Sequence, residues 1–167
     1  MKNKIQTTLL LLVAAGILYF LYERYFPNEE KVIRQRLAKL AEVASVPDRP
    51  TVTGNLAAAD RLRDFLSPDI EIEVDVPGEG RQTMQGRGEI VQAVVAARTQ
   101  LKGLKVALFD IHVTLDPGQE TATAELTLRA THSGDKDFFV QELKLKLRKE
   151  DRLWRVWRAE TMKTLSQ

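Results

Sequence analysis

The sequence predicts an α+β domain, helices first and an antiparallel sheet after them, carried behind one N-terminal transmembrane helix. Three observations predict it. A charge-free apolar run covers 5–22, and apolar stripes at helical spacing recur in three segments between 29 and 101. From 105 onward, apolar and polar residues alternate between short turns.

The anchor comes first. As a helix, IQTTLLLLVAAGILYFLY would reach about 27 Å, close to the hydrocarbon thickness of a bilayer. Lys2 and Lys4 precede it, while Glu23, Arg24, Glu29 and Glu30 follow. The unopposed positive charge at the short end predicts a cytoplasmic N-terminus and a domain on the periplasmic or extracytoplasmic side. Tyr19, Phe20, Tyr22, Tyr25 and Phe26 stand where an aromatic belt would meet the outer interface. A cleaved signal peptide shares the charged start and apolar core, but no small-x-small cleavage site follows this one. The expected division is an anchor over 1–27 and a single domain over 28–167.

Pro27 and Asn28 end the anchor, and Glu29 and Glu30 put acids at the positive pole of the next helix. Val32, Ile33, Leu37, Leu40, Ala41 and Ala44 form its apolar stripe. VPDRPTVTG over 46–54 breaks it. A further helix carries Leu56, Ala59, Leu62, Phe65 and Leu66 on one side and stops at Ser67-Pro68. Ile70, Ile72, Val74 and Val76 then alternate with Glu71, Glu73 and Asp75, which predicts a strand. A turn at Pro77-Gly78-Glu79-Gly80 leads to a short return strand over 82–85. Gly86-Arg87-Gly88 opens a helix with Ile90, Val94, Ala97 and Leu101 on one face, closed by Gly103. Four strands follow, at about 105–115, 121–132, 137–149 and 152–162.

The turns of this meander fix its register. Gly118-Gln119 pairs Val113 with Ala124, Ile111 with Leu126 and Phe109 with Leu128. Gly134-Asp135 pairs Ala130 with Phe139, Leu128 with Gln141 and Leu126 with Leu143. Glu150-Asp151 pairs Leu147 with Trp154, Leu145 with Val156, Leu143 with Arg158 and Gln141 with Glu160. Three independent turns thus put apolar residues on one face of all four strands, and a one-residue slip in any of them would exchange the faces. The opposite face reads as wet, with Glu125 opposite Lys144 and near His112.

Four polar residues interrupt the expected inner face: His132, Gln141, Arg158 and Glu160. Gln141 and Glu160 are expected neighbours, with Arg158 on the same side. A buried unpaired charge is costly, so these groups must face a partner, water or a ligand. As a ligand-binding set, Arg158 would hold a carboxylate or similar anion and Gln141 would orient it. Glu160 is then the only candidate catalytic group for proton transfer. An Arg158–Glu160 ion pair accounts for the same residues without any ligand. His132, beside Ser133-Gly134, reads as a strand-end surface histidine. Trp154 reads as core, whereas Trp157, on the outer face, is the candidate interface residue.

Composition removes several function classes. With no cysteine there is no disulfide, thiolate catalysis, cysteine-ligated zinc or lipobox anchor. Two histidines on different expected faces leave no metal site. A net charge of +2, with bases and acids interspersed, gives no reason to expect nucleic acid. No phosphate-binding fingerprint surrounds Gly78-Glu79-Gly80 or Gly86-Arg87-Gly88, and no cofactor is expected.

The run LRDFLSPDIEIEV into the first strand, the helix start GRGEIVQAV and the closing DRLWRVWRAE carry a family likeness. On these the chain resembles the nuclear-transport-factor-2-like superfamily, in its SnoaL-like branch, over about Glu29 to Thr164. The resemblance implies a curved antiparallel sheet wrapped on about three helices, a cone with a pocket at its open end. It implies no single activity, since members include isomerases, cyclases, dehydratases and proteins without chemistry. Members of this shape frequently dimerise through the sheet face. The ketosteroid isomerases among them use an inner-face Asp with a Tyr and a protonated acid. Here Tyr19, Tyr22 and Tyr25 belong to the anchor, and no Asp falls on the expected inner strand faces. The expected function is a membrane-tethered, non-enzymatic ligand- or protein-binding module, with a homodimer through the sheet face and a small ligand in the cone as partners. The alternatives are an isomerase, dehydratase or cyclase-like enzyme using Glu160 and Arg158, and a component of an envelope secretion complex.

Overall fold

The structure, a computed structural model, describes residues 12, 13, 16, 28–76, 80–132 and 135–162. Apart from Leu12, Val13 and Gly16, the expected anchor over 1–27 lies outside the described residues. Among the described residues no helix is long and apolar enough to cross a membrane.

Asn28 caps α1 (Glu29–Ala44), its side chain accepting from the Lys31 amide at 3.1 Å, while Glu29 and Glu30 fill the first turn. Ile33, Leu37 and Ala41, each four residues apart, are the buried stripe. Thr51 caps α2 (Val52–Arg63) by accepting from the Gly54 amide at 3.0 Å. The α2 stripe is narrower than expected: Ala59 and Leu62 are buried, but Leu56 is 58% exposed. After β1 (Leu66–Val76) and β2 (Gly80–Gln85) comes α3 (Arg87–Gln100). It buries Ile90, Val91 and Arg98, while Ala97, expected on the stripe, is exposed. The meander follows as β3 (Lys105–Leu115), β4 (Thr121–His132), β5 (Asp135–Glu150) and β6 (Leu153–Thr161).

The six strands form one sheet in the order β2-β1-β6-β5-β4-β3, with β1 running parallel to β6 and all other neighbours antiparallel. The sheet is curved and the three helices fill its concave side, the α+β cone expected from the sequence. Ile33 and Leu37 of α1, Leu62 of α2 and Ile90 of α3 meet Ile70, Leu126, Leu147, Trp154 and Val156 in one core. Each such side chain, taken fully out of water, contributes about 1.5–3 kcal/mol.

The register of β4 on β5 is the expected one from Thr121 to Ala130, with Leu128 opposite Gln141 and Leu126 opposite Leu143; it shifts between Ala130 and His132, which stands opposite Asp135. The other two hairpins depart from expectation where a bulge intervenes. In β3 the register shifts between Phe109 and His112, around Asp110 at φ 51°. Leu108, not Phe109, therefore faces Leu128; Phe109 pairs with Thr127 and is 44% exposed on the outer side. The β5–β6 turn is made by Asp151 and Arg152, at φ 51° and 64°, one residue later than expected. Sliding a turn by one residue moves the register by two and keeps the faces, so Leu147 meets Val156 and Lys149 meets Trp154. Trp157 is then an extra residue, and beyond it Arg158 stands opposite Lys146 and Glu160 opposite Lys144. That single insertion exchanges the faces. Buried Ala159 takes the inward place, and Arg158 and Glu160 turn outward.

Candidate functional site

The alternation IEIEVDV in β1 turns Ile70 and Ile72 to the core and Glu71, Glu73 and Asp75 outward. Because β1 lies parallel to β6, Glu71 falls beside Arg158 and Glu73 beside Glu160. The Arg158 guanidinium donates to Glu160 through Nε at 3.1 Å, to Glu71 through Nη1 at 3.0 Å, and reaches Glu73 through Nη2 at 3.5 Å. Arg81 of β2 continues the row, 2.9 Å from Glu73 and 3.6 Å from Asp75. The hydrogen bond to Glu160, with the charges of Glu71 and Glu73, raises the Arg158 pKa above its ordinary value.

Of the expected ligand set, Gln141 alone is where the sequence put it, half-buried on the concave face opposite Leu128. Arg158 and Glu160 are corrected from the inside of the cone to its outside, so the sheet separates them from Gln141. The physical reason is the bulge at Trp157, and the arginine that was to hold a ligand anion is engaged by three carboxylates of its own protein. Arg158 and Glu160 leave no carboxylate behind them on the inward positions of β6, while Asp135, opposite His132 at the end of β4, keeps an inward register position. Trp157 lies on the outer side as expected, half-buried, with Lys146 Nζ 5.7 Å from its ring centroid. His132, the last residue of β4, is half-buried rather than at the surface. Among the described residues no cluster of three or more His, Asp or Glu could hold a metal ion.

The same outer face holds features the sequence reading missed. Phe109 carries the Arg129 guanidinium 5.0 Å above its ring, and Val140, opposite Arg129, is 52% exposed. Strand parity in FFVQEL could have found Val140, since Gln141 was placed inward. The expected Glu125–Lys144 pair is present at 3.2 Å.

At the closed end, Glu150 gathers Ser67 Oγ at 2.8 Å, Arg155 at 2.9 Å and Arg148, which also binds Asp69. Burial alone would raise the Glu150 pKa; the bonds from Arg148, Arg155 and Ser67 bring it down to about 2. Behind α3, Arg98 is 5% exposed and donates to the carbonyls of Val43 at 2.8 Å and Ser45 at 2.9 Å, closing the C-terminus of α1. It borders a cavity of about 260 Å³ between α1 and α2, and a groove of about 750 Å³ floored by Ala59, Val91 and Val95 runs between α2 and α3.

Comparison with known proteins adds to this geometry. A family model described as the SnoaL-like domain matches residues 35–160. A nuclear-transport-factor-2-like protein with a cystatin-like fold from Novosphingobium aromaticivorans superposes with a TM-score of 0.63 at 22% identity, covering 92% of this chain and 90% of that one. A candidate scytalone dehydratase from the same organism gives a TM-score of 0.59 at 13% identity, over 81% of this chain and 83% of the other. A protein of unknown function from Nostoc punctiforme, also cystatin-like, gives 0.60 at 13% identity, over 78% and 86%. No curated protein matches the sequence. At these identities the likeness carries the fold alone.

Proposed function

Because the chain belongs to the SnoaL-like domain family of the nuclear-transport-factor-2-like fold, we propose that it is a membrane-tethered, non-enzymatic binding and assembly module that pairs with a second copy through its outer sheet face. The bulge at Trp157 carries this reading. It takes Arg158 and Glu160 out of the cone and adds them to a face that already displays Phe109, Val140 and Trp157. Apolar side chains grouped in this way on a sheet are what an association surface uses.

Charge on the face supports pairing of like copies. Toward the β1–β6 side Glu71, Glu73, Asp75 and Glu160 outnumber Arg81 and Arg158, whereas toward β4 and β5 Arg129, Lys144 and Lys146 outnumber Glu125 and Glu142. A two-fold axis through the sheet would set the acidic band of one copy against the basic band of the other, as an isologous interface requires. The charge-free run over 5–22 supports the tether. Gln141, half-buried on the concave face, is the residue we assign to a small ligand in the cone. Neighbours described as a candidate dehydratase and a candidate aromatic ring hydroxylase share 13% and 15% identity, too little to bring their chemistry here.

Light scattering on the full chain in detergent tests the reading. The wild type should weigh as a dimer, and Phe109→Asp combined with Val140→Lys should weigh as a monomer with an unchanged circular dichroism spectrum. A wild type that is monomeric at micromolar concentration ends the assembly reading.

A further inference from the structure

We propose that the tip of the β5–β6 hairpin, Arg152 and Leu153, rests on the lipid headgroups around the chain's own anchor and so points the open end of the cone away from the bilayer; this rests on the tethered reading above.

The argument begins at the first residue of α1. Glu29 accepts from Lys149 Nζ at 2.6 Å and from Trp154 Nε1 at 2.7 Å, so the chain before Asn28 joins the domain beside the β5–β6 hairpin. The β3–β4 turn is held at this end too, because the Lys149 amide donates to the Glu120 carbonyl at 2.8 Å. The 16 residues of α1 then run about 24 Å to the opposite end. There Ser45 Oγ accepts from the Val106 amide at 3.0 Å and Lys102 stands exposed.

Chain length selects lipid as the occupant. Only residues 23–27 separate the apolar run from Asn28, and five residues reach at most about 18 Å. With 5–22 in the hydrocarbon, that reach keeps the hairpin close to the headgroup layer, itself about 5–8 Å deep on each side. The hairpin tip suits such a place. Asp151 and Arg152 both take left-handed φ, making a tight turn that projects its side chains. Leu153 is 43% exposed beside exposed Arg152, and Lys31 is exposed one helical turn above Asn28. Asp151 lies 3.7 Å from Arg155, which partly offsets its charge toward anionic lipid. An exposed aliphatic side chain next to an exposed arginine is a pairing that settles at a headgroup boundary.

The chain has no cysteine, so one introduced thiol is a unique reporter. Leu153→Cys and Lys102→Cys, each in the full chain, are labelled with a polarity-sensitive fluorophore in vesicles of phosphatidylcholine and phosphatidylglycerol. The expected result is a blue shift at position 153 and quenching there by spin-labelled headgroups, with neither at 102. Adding Arg152→Glu to the 153 variant should weaken that quenching. Equal quenching at both positions, or more at 102, overturns the inference while leaving the tether in place. A chain released from the vesicles by alkaline carbonate overturns the tether, and the hairpin contact with it.

Discussion

One carboxylate oxygen of Glu29 accepts the indole hydrogen of Trp154 at 2.7 Å while the other accepts from Lys149 at 2.6 Å, so the first residue of α1 is tied to β5 and β6. Burial would raise the Glu29 pKa, yet the bonds from Lys149 and Trp154 prevail and hold it below the ordinary 4.5. A depressed pKa gives stability that is present above the unfolded value and is lost as pH falls through the folded one. Glu29→Ala leaves the Trp154 N–H, on a side chain 1% exposed, without its acceptor. The expected cost is about 1–3 kcal/mol, read as a lower urea midpoint with an unchanged slope.

Glu150 sets a wider pH window. Its side chain is 20% exposed and its pKa is held to about 2 against 4.5 when free. Ionised Glu150 should therefore contribute on the order of 2–3 kcal/mol at neutral pH, allowing for its partial exposure. This contribution is full above 4.5 and disappears as pH falls toward 2. Urea midpoints taken from neutral pH down to 2 should fall steeply for the wild type. Glu150→Gln should start lower and fall less over that window. Parallel profiles would show that Glu150 is not the titrating group.

Most of the fold was legible because periodicity reports which side of an element meets the core. The bounds of α1, β3 and β4, and the β4–β5 register as far as Ala130, follow from alternation and turn residues. The candidate site was not legible, because its placement depended on parity across two bulges. Asp110 is not a glycine, and nothing in DRLWRVWRAE marks Trp157 as supernumerary. Each bulge adds one residue, and with a period of two that is enough to send Phe109, Arg158 and Glu160 to the other face. The adjacency of β1 and β6 was also hidden, since a parallel contact between distant segments leaves no turn to read. Arg98 did leave a signal: it falls seven residues after Val91 and four after Val94, in line with the buried side of α3.

That position yields a third prediction. Arg98 donates to the carbonyls of Val43, Ala44 and Ser45 and to Asn55 Oδ1, and burial lowers its pKa. Arg98→Met fills much of the space but leaves those acceptors bare, at an expected cost of about 2–4 kcal/mol. Arg98→Lys should recover only part of it, because an ammonium cannot span the carbonyls and Asn55 at once. Thermal unfolding should rank the wild type first, Arg98→Lys second and Arg98→Met last. An Arg98→Met protein as stable as the wild type would mean that the end of α1 is satisfied without the guanidinium.

The last prediction separates the two readings of Arg158. In the outer-face cluster Arg158→Ala leaves Glu71, Glu73 and Glu160 facing one another, all about a third exposed. The variant should fold with a lower melting temperature in dilute buffer, and added sodium chloride should narrow the gap, since exposed like charges are screened by salt. Arg158→Ala combined with Glu71→Gln and Glu160→Gln should recover stability even without salt, because the repelling charges go with the cation. A ligand anchor inside the cone would behave otherwise: neither salt nor loss of the acids would restore what its removal takes away. The rescue by neutralised partners is the decisive readout, and a triple variant no more stable than Arg158→Ala would count against the cluster as the place where Arg158 acts.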